Sequence, residues 1–372
     1  MITDIQKFHD AVNDPASTAS HTNKPTIGHL CSYAPEELVH AAGFHPMRLF
    51  SSKSDIIMAE EHLQAYCCSL VRGVLEDSLN GRLDFLSGAL FPHTCDSIQR
   101  LSDIWRMKGK YEFFADVVMP AKLNTPSARV YMRDVLKRLK NKLAKAAGKP
   151  ISDDDLRQSI AVINTIRTAL SKIYALQSRH PGIIKGADLY ALAKGAMIMD
   201  REQAAALLTK TADQVEEAGQ QFQPDLGIKR LVVSGSICDT PLIYHTIEEA
   251  GGIVVGDDLC TGQRWFEGVV DEETADPLGA IADRYMDRIT CPAKHATTTF
   301  RGDHLVSLAQ KNQADGVIFM LLKFCDPHAF DYPFLKDFLD RENISNILIE
   351  MDGQQTSAGQ LSTRIETFIH MI

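Results

Sequence analysis

The sequence predicts an α/β protein: two Rossmann-like parallel-sheet units connected by a mainly helical segment. Three observations carry that expectation. Short apolar runs alternate with helical patterns up to about residue 120, the pattern turns almost wholly helical from 125 to 219, and a second alternating series follows "QFQPDLGIKR". Such alternation is the signature of parallel strands joined by crossover helices. The expected division is an N-terminal α/β unit at 1–124, a helical segment at 125–225 and a C-terminal α/β unit at 226–372. At 372 residues and 45% hydrophobic content, the chain is long enough for two cores of ordinary size.

In the first unit, "TIGHL" (26–30), "MRLFS" (47–51), "GALFP" (88–92) and "YEFFADVV" (111–118) read as strands. Glu36 and Glu37 follow Pro35 at a helix start, where the helix dipole favours carboxylates, so capping is expected of them. The third strand breaks at Pro92 and a helix begins at Asp96, which leaves Cys95 at the corner. In the middle segment, the basic run 133–149 suits a solvated helix face, and Ser152 opens a long helical pattern whose first turn its hydroxyl can cap. The second unit has strands at "RLVVSG" (230–235), "GIVVGDD" (252–258), "DGVIFML" (315–321) and "NILIEMD" (346–352). Asp239 or Thr240 would start the helix after the first of these.

Charge narrows the function classes. The 48 acidic residues exceed the 39 basic ones, for a net charge of −9, and no basic concentration beyond 133–149 suggests nucleic acid. No apolar stretch approaches the ~20 residues of a membrane span. "MITDIQKFHDAVND" lacks the basic start and apolar core of a signal peptide. A cytoplasmic chain without nucleic-acid or membrane partners is the expectation. No GxxxxGK[ST] loop is present, so the chain is not itself a P-loop ATPase.

Eight cysteines in a reducing compartment are core residues, nucleophiles or metal ligands rather than disulfides. None lies in a CxxC pair, and the adjacent Cys67 and Cys68 cannot both face one site. Cys31, Cys95, Cys238, Cys260 and Cys325 each follow an apolar strand, at the edge where open α/β sheets bind ligands. Cys291, in "RITCPAKH", reads as a small core hydrophobe. Cys95 and Cys325 both occur as Cys-Asp directly after a strand, in "PHTCDS" and "KFCDPH". A thiolate at a helix start gains from the partial positive charge there, which suits it to bind iron. On composition alone, two buried structural thiols are an equal reading.

The segments "CSYAPEELVHAAGFHPMRL" (31–49), "CSLVRGVLEDSLNGRLDFLSGALFPHTCD" (68–96), "GDDLCTGQRWF" (256–266), "DGVIFMLLKFCDPHAFDYPFLK" (315–336) and "GQLSTRIETFI" (359–369) occur together and in order. In these the chain resembles the 2-hydroxyacyl-CoA dehydratase component D and benzoyl-CoA reductase family. The resemblance implies a 4Fe-4S cluster held by three cysteines, and the matching positions are Cys68, Cys95 and Cys325. Clusters normally take four thiolates, so the fourth iron would be open to substrate. Cys31 and Cys260 match cysteines of the double-cubane branch, whose larger cluster is 8Fe-9S. A further cysteine expected there between Cys68 and Cys95 is absent, with "NGRLDF" in its place.

The activity implied is that of an iron–sulfur subunit in anaerobic metabolism, removing water from a 2-hydroxyacyl-CoA through a ketyl radical to give the 2-enoyl-CoA. The alternatives are a subunit of a benzoyl-CoA-type ring reductase and a double-cubane reductase. The partners implied are an acyl-CoA substrate, an ATP-dependent iron–sulfur activator, and a homologous second subunit or a second copy. His45, Arg48, His180 and Lys185 are candidate contacts to a CoA phosphate, each otherwise an ordinary surface charge. His93 reads first as a satisfied structural histidine and second as a donor to the cluster sulfurs.

Overall fold

Several strand-forming runs here are apolar on both faces, as in "LVV" and "GVIFML", and leave no polar side for solvent. Such strands persist where helices cover both faces, which is the environment of a parallel sheet. The computed structural model describes residues 4–51, 55–108, 111–288, 291–297, 299–352 and 358–372. Strands β1 (Thr26–His29), β2 (His45–Arg48), β3 (Leu86–Pro92) and β4 (Phe113–Val117) form one parallel sheet in the order β2-β1-β3-β4. Strands β5 (Lys229–Gly235), β6 (Gly252–Asp258), β7 (Gly316–Leu322) and β8 (Ser345–Met351) form a second, in the order β6-β5-β7-β8. This is the fold class the sequence predicts. Both sheets wind alike, and the crossover direction reverses between β1 and β3 and again between β5 and β7. Ligand crevices open at such reversals, beyond the carboxyl ends of the strands.

One strand is displaced from its expected place. The second strand pairs with β1 from Thr26↔His45 to His29↔Arg48, two residues earlier than the apolar run 47–51 implied. Pro46 is tolerated there because β2 is an edge strand, where a missing N–H costs nothing on the open side. At the end of β5 a side chain would be excluded: a Cβ on Gly235 would lie 1.9 Å from the Met320 carbonyl oxygen. The two central strands of the second sheet therefore approach closely just before the turn at Ser236.

Between the sheets lies a helical layer, Pro126–Ala147, Asp153–Arg179, Gly186–Ala196 and Arg201–Gly219. Its boundaries are local chemistry. Thr125 caps Pro126–Ala147, which ends on Gly148 at φ +68°. Ser152 and Asp155 form a capping box at the start of Asp153–Arg179. The N-terminal helix Ile5–Asn13 packs on this layer through Ile5, Phe8 and Ala11, among Ile173, Leu192 and Leu208.

The layer is tied to the first unit by buried charge, which corrects the capping role expected of Glu36 and Glu37. Glu36 pairs with Arg201 at 3.0 Å and accepts from Trp265 Nε1 at 2.9 Å, and Glu37 pairs with Arg167. Burial opposes ionisation of Glu36, but Arg201 and His29 prevail and hold its carboxyl well below the usual range. No described helix is long and apolar enough to cross a membrane.

Candidate functional site

Three helix starts bring cysteines to the crevice. Cys68 precedes Ser69–Leu79, Cys95 precedes Asp96–Lys108 after β3, and Cys325 precedes Asp326–Arg341 after β7. Backbone amides face each sulfur and favour its thiolate: Val71 and Leu70 at Cys68, Ile98 at Cys95 and His328 at Cys325. Neither Cys68 nor Cys325 closes a side-chain cap hydrogen bond as a thiol. Phe324 adopts φ +65°, a left-handed conformation unusual for an aromatic residue, and so turns the chain sharply into Cys325.

The three thiols are within electrostatic reach of one another. Burial raises the Cys95 thiol far above its usual range, and the charges of Cys68, Cys325 and Cys31 add to that. Cys325 is pushed up to about 12 by burial, with Cys68 next and Cys260 contributing. Burial also raises Cys68. The helix starts were expected to lower these values; desolvation and mutual repulsion outweigh the dipole while nothing neutralises the thiolates. Thr94 Oγ1 donates to Cys31 Sγ at 3.4 Å, which places Cys31 on the Cys95 side of the corner.

The second unit adds a charged network that the sequence reading did not single out. Asp258, at the end of β6, pairs with Arg264 at 2.9 Å and Arg301 at 3.1 Å, and Arg301 reaches Asp331 at 2.6 Å. Arg264 Nη2 also lies 3.4 Å from Cys260 Sγ and 3.5 Å from His328 Nε2. The neighbouring Cys291 thiol, with Arg264 and His328, outweighs burial and holds Cys260 well below the usual thiol range. Cys291 thus sits against a second thiol, beyond the small hydrophobe expected. The available signal was "GDDLC", two acids and a thiol at the end of a buried apolar strand.

A cavity of about 1170 Å³ opens between the two sheet edges. Its wall includes Ser69 and Leu70 beside Cys68, Arg48 at the end of β2 with Phe50 beyond it, and Met320 and Leu322 at the end of β7. Lys194 Nζ lies on the same wall, 2.6 Å from Asp239 Oδ1 and 2.9 Å from Tyr190 OH. Of the proposed phosphate contacts, Arg48 alone lines the cavity. His45 is buried, with Nε2 2.8 Å from the Ile198 carbonyl, and burial pushes its pKa down to about 3, so it is neutral. His180 and Lys185 lie elsewhere. His93 Nε2 is 2.8 Å from Asp116 Oδ1, the satisfied structural histidine the sequence favoured.

A family model described as the 2-hydroxyglutaryl-CoA dehydratase D-component matches residues 31–372. The chain belongs to this family. It is 28% identical to the (R)-phenyllactyl-CoA dehydratase beta subunit of Clostridium sporogenes over 97% of this chain and 96% of that one. It is 27% identical to the lactoyl-CoA dehydratase beta subunit of Anaerotignum propionicum, over 95% of this chain and 93% of that one. Identity to a benzoyl-CoA reductase subunit of Thauera aromatica is 29%, over 85% of this chain and 82% of that one. Both chemistries implied by the sequence motifs are therefore represented among relatives of this D-component chain.

The donor set bears on what this D-component corner can hold. It consists of one buried and two partly buried cysteines from three helix starts, a soft set suited to iron and sulfide. No three His, Cys, Asp or Glu among the described residues close around a single ion. A single zinc draws its thiolates in to ~2.3 Å from the metal.

Proposed function

We propose that this chain is the iron–sulfur subunit of an ATP-activated 2-hydroxyacyl-CoA dehydratase, with Cys68, Cys95 and Cys325 holding a 4Fe-4S cluster. The observation that carries the reading is the electrostatic proximity of these three thiols, with Ser69 and Leu70 next to Cys68 lining a large cavity, in a chain of the dehydratase D-component family. When bound, such a cluster supplies single low-potential electrons and one iron without a protein ligand. The protein's own work is to keep the site dry and shaped. Burial at the sheet edges excludes water from the sulfurs, and the amides of Val71, Ile98 and His328 orient and stabilise the thiolates. The cavity offers an apolar wall at Phe50, Met320 and Leu322 for an acyl group, with the Lys194–Asp239 pair and Arg48 as its polar features. The enzyme is completed by an ATP-dependent activator and a second subunit; the beta-subunit names of its relatives support the latter.

The test is iron and sulfide analysis of anaerobically purified chain, alone and co-expressed with a homologous subunit, followed by assay with 2-hydroxyacyl-CoA thioesters, activator and ATP. About four irons per chain, brown colour and enoyl-CoA formation are expected. A colourless, iron-free protein would overturn the cluster, and about eight irons would replace it with the double cubane. Ring reduction of an aromatic thioester without dehydration would move the chain to the reductase reading, which the relative in Thauera aromatica keeps in view.

A further inference from the structure

Buried positive charges normally carry their own carboxylates, because an uncompensated ion loses its hydration for nothing in return. Most buried cations here obey this: Arg167 with Glu37, Arg201 with Glu36, Arg264 and Arg301 with Asp258, Lys194 with Asp239. Four form no ion pair among the described residues. Arg284 is one, and its guanidinium is spread over the carbonyls of Trp265, Glu267 and Gly268. The other three, Arg48, Arg288 and Lys294, are each at most 5% exposed and stand at one place.

That place is the edge formed by Cys31, Cys260 and Cys291. Arg48 donates through Nη1 to the Cys260 carbonyl and lies 3.5 Å from Met197 Sδ, while its Nε is buried without a partner. Burial opposes its charge, and Cys260 and Cys31 are the groups that most favour it. Arg288 donates to the carbonyls of Arg264 and Ser32 at 2.8 Å, sits 4.2 Å from the Tyr33 ring centre, and also leaves Nε unpartnered. Lys294 Nζ has only long contacts, 3.3 Å to the Met119 carbonyl and 3.4 Å to that of His93. Arg48 holds the carbonyl of Cys260, Arg288 that of Ser32 next to Cys31, and Lys294 approaches that of His93, two residues before Cys95, so the three cations stand in the corner that the proposed cluster ligands share.

We propose that Arg48, Arg288 and Lys294 are the counter-charges of the cluster, positioning residues that favour its loading and raise its affinity for an electron. The assignment rests on the cluster reading above. A cubane core with two positive charges and three thiolates is a net anion, and reduction adds one further negative charge. The electron comes from an external low-potential donor and no proton need move, so the added charge must be met by fixed cations. Carbonyl oxygens cannot meet it.

The test uses the full chain with its partner subunit, loaded anaerobically, in wild type, Arg48→Gln, Lys294→Gln and the charge-keeping Arg48→Lys. Redox titration read by electron paramagnetic resonance should show the Gln variants accepting an electron about tenfold less favourably, ~59 mV more negative, with Arg48→Lys close to wild type. A second readout separates this from a merely structural role. In iron-free protein, Lys294→Gln should resist urea better than wild type, because an uncompensated buried charge is gone; in loaded protein it should resist urea less. Unmoved potentials in loaded variants, or a loss of stability of equal size with and without iron, would overturn the assignment alone. A rise in acyl-CoA KM with unchanged potential would make Arg48 a thioester contact instead. Should Arg48→Gln not fold, Lys294→Gln carries both measurements. A wild type that takes up no iron sinks the cluster reading and this assignment together.

Discussion

The two α/β units share one winding and differ in what fills their crevices. In each, the third strand, β3 or β7, delivers a Cys-Asp corner beside the reversal point, giving Cys95 and Cys325. The difference lies in the crossover between second and third strands. In the first unit that crossover carries Ser69–Leu79 and puts Cys68 at its start, and burial first, with the neighbouring thiols second, pushes titration up. In the second it carries Gln263–Phe266, Pro277–Asp287 and Phe300–Lys311, which supply Arg264 and Arg301 to Asp258, and the Cys260 thiol, beside Cys291 and Arg264, is pulled down instead of up. Sheet topology decides where a corner lies, and the variable crossover decides its chemistry.

The sharpest way to break this contrast is to remove one thiol from each class. Cys95→Ala or Cys68→Ala should abolish cluster iron, from about four per chain to essentially none, whereas Cys260→Ala should retain it; metal analysis of anaerobic samples reads both. Equal iron loss from all three would mean the units do not divide the labour. Next in size, Arg264→Met leaves Asp258 with Arg301 alone and should destabilise the protein by ~3–5 kcal/mol in urea unfolding. An effect below about 1 kcal/mol would remove the charged network from the second unit's stability.

Asp257 and Asp258 offer a comparison within one strand. Asp258 faces two arginines and sits well below the usual carboxyl range. Asp257 accepts from the Tyr174 hydroxyl at 2.8 Å and from the amides of Leu259 and Gln263, yet burial raises its pKa to about 6. Its unfolded value is about 3.9. A group raised in the folded state contributes stability that is complete below pH ~4 and is lost as pH climbs to ~6. Wild type should therefore lose up to ~3 kcal/mol across that window from this group, and Asp257→Asn should flatten that part of the profile. A variant with the wild-type slope would refute it. The smallest effect is expected in the helical layer common to both units: Ser152→Ala should cost about 1 kcal/mol, seen as a shifted denaturation midpoint with unchanged iron content.

Much of this architecture was legible because its causes are local. Apolar runs placed all eight strands, Ser152 capped its helix, and the Cys-Asp corners stood out by position after a strand. The apolar run 47–51 put β2 two residues late, because where pairing with a neighbour begins is a property of the sheet, not of the run. Glu36 and Glu37 misled for a related reason: their local setting is a helix start, but the arginines that claim them come from the helical layer, 165 and 130 residues away.

Taken alone, the residue order determined the periods, caps and turn chemistry, and with them two parallel sheets, a helical layer and thiols at the strand ends. Only tertiary structure decided which thiols approach one another, that Cys291 sits against Cys260, and that Arg48, Arg288 and Lys294 form no ion pair among the described residues. The physical reason is range. Backbone preferences act over a few neighbouring residues, whereas desolvation and charge pairing depend on which distant segments are packed into the same dry volume.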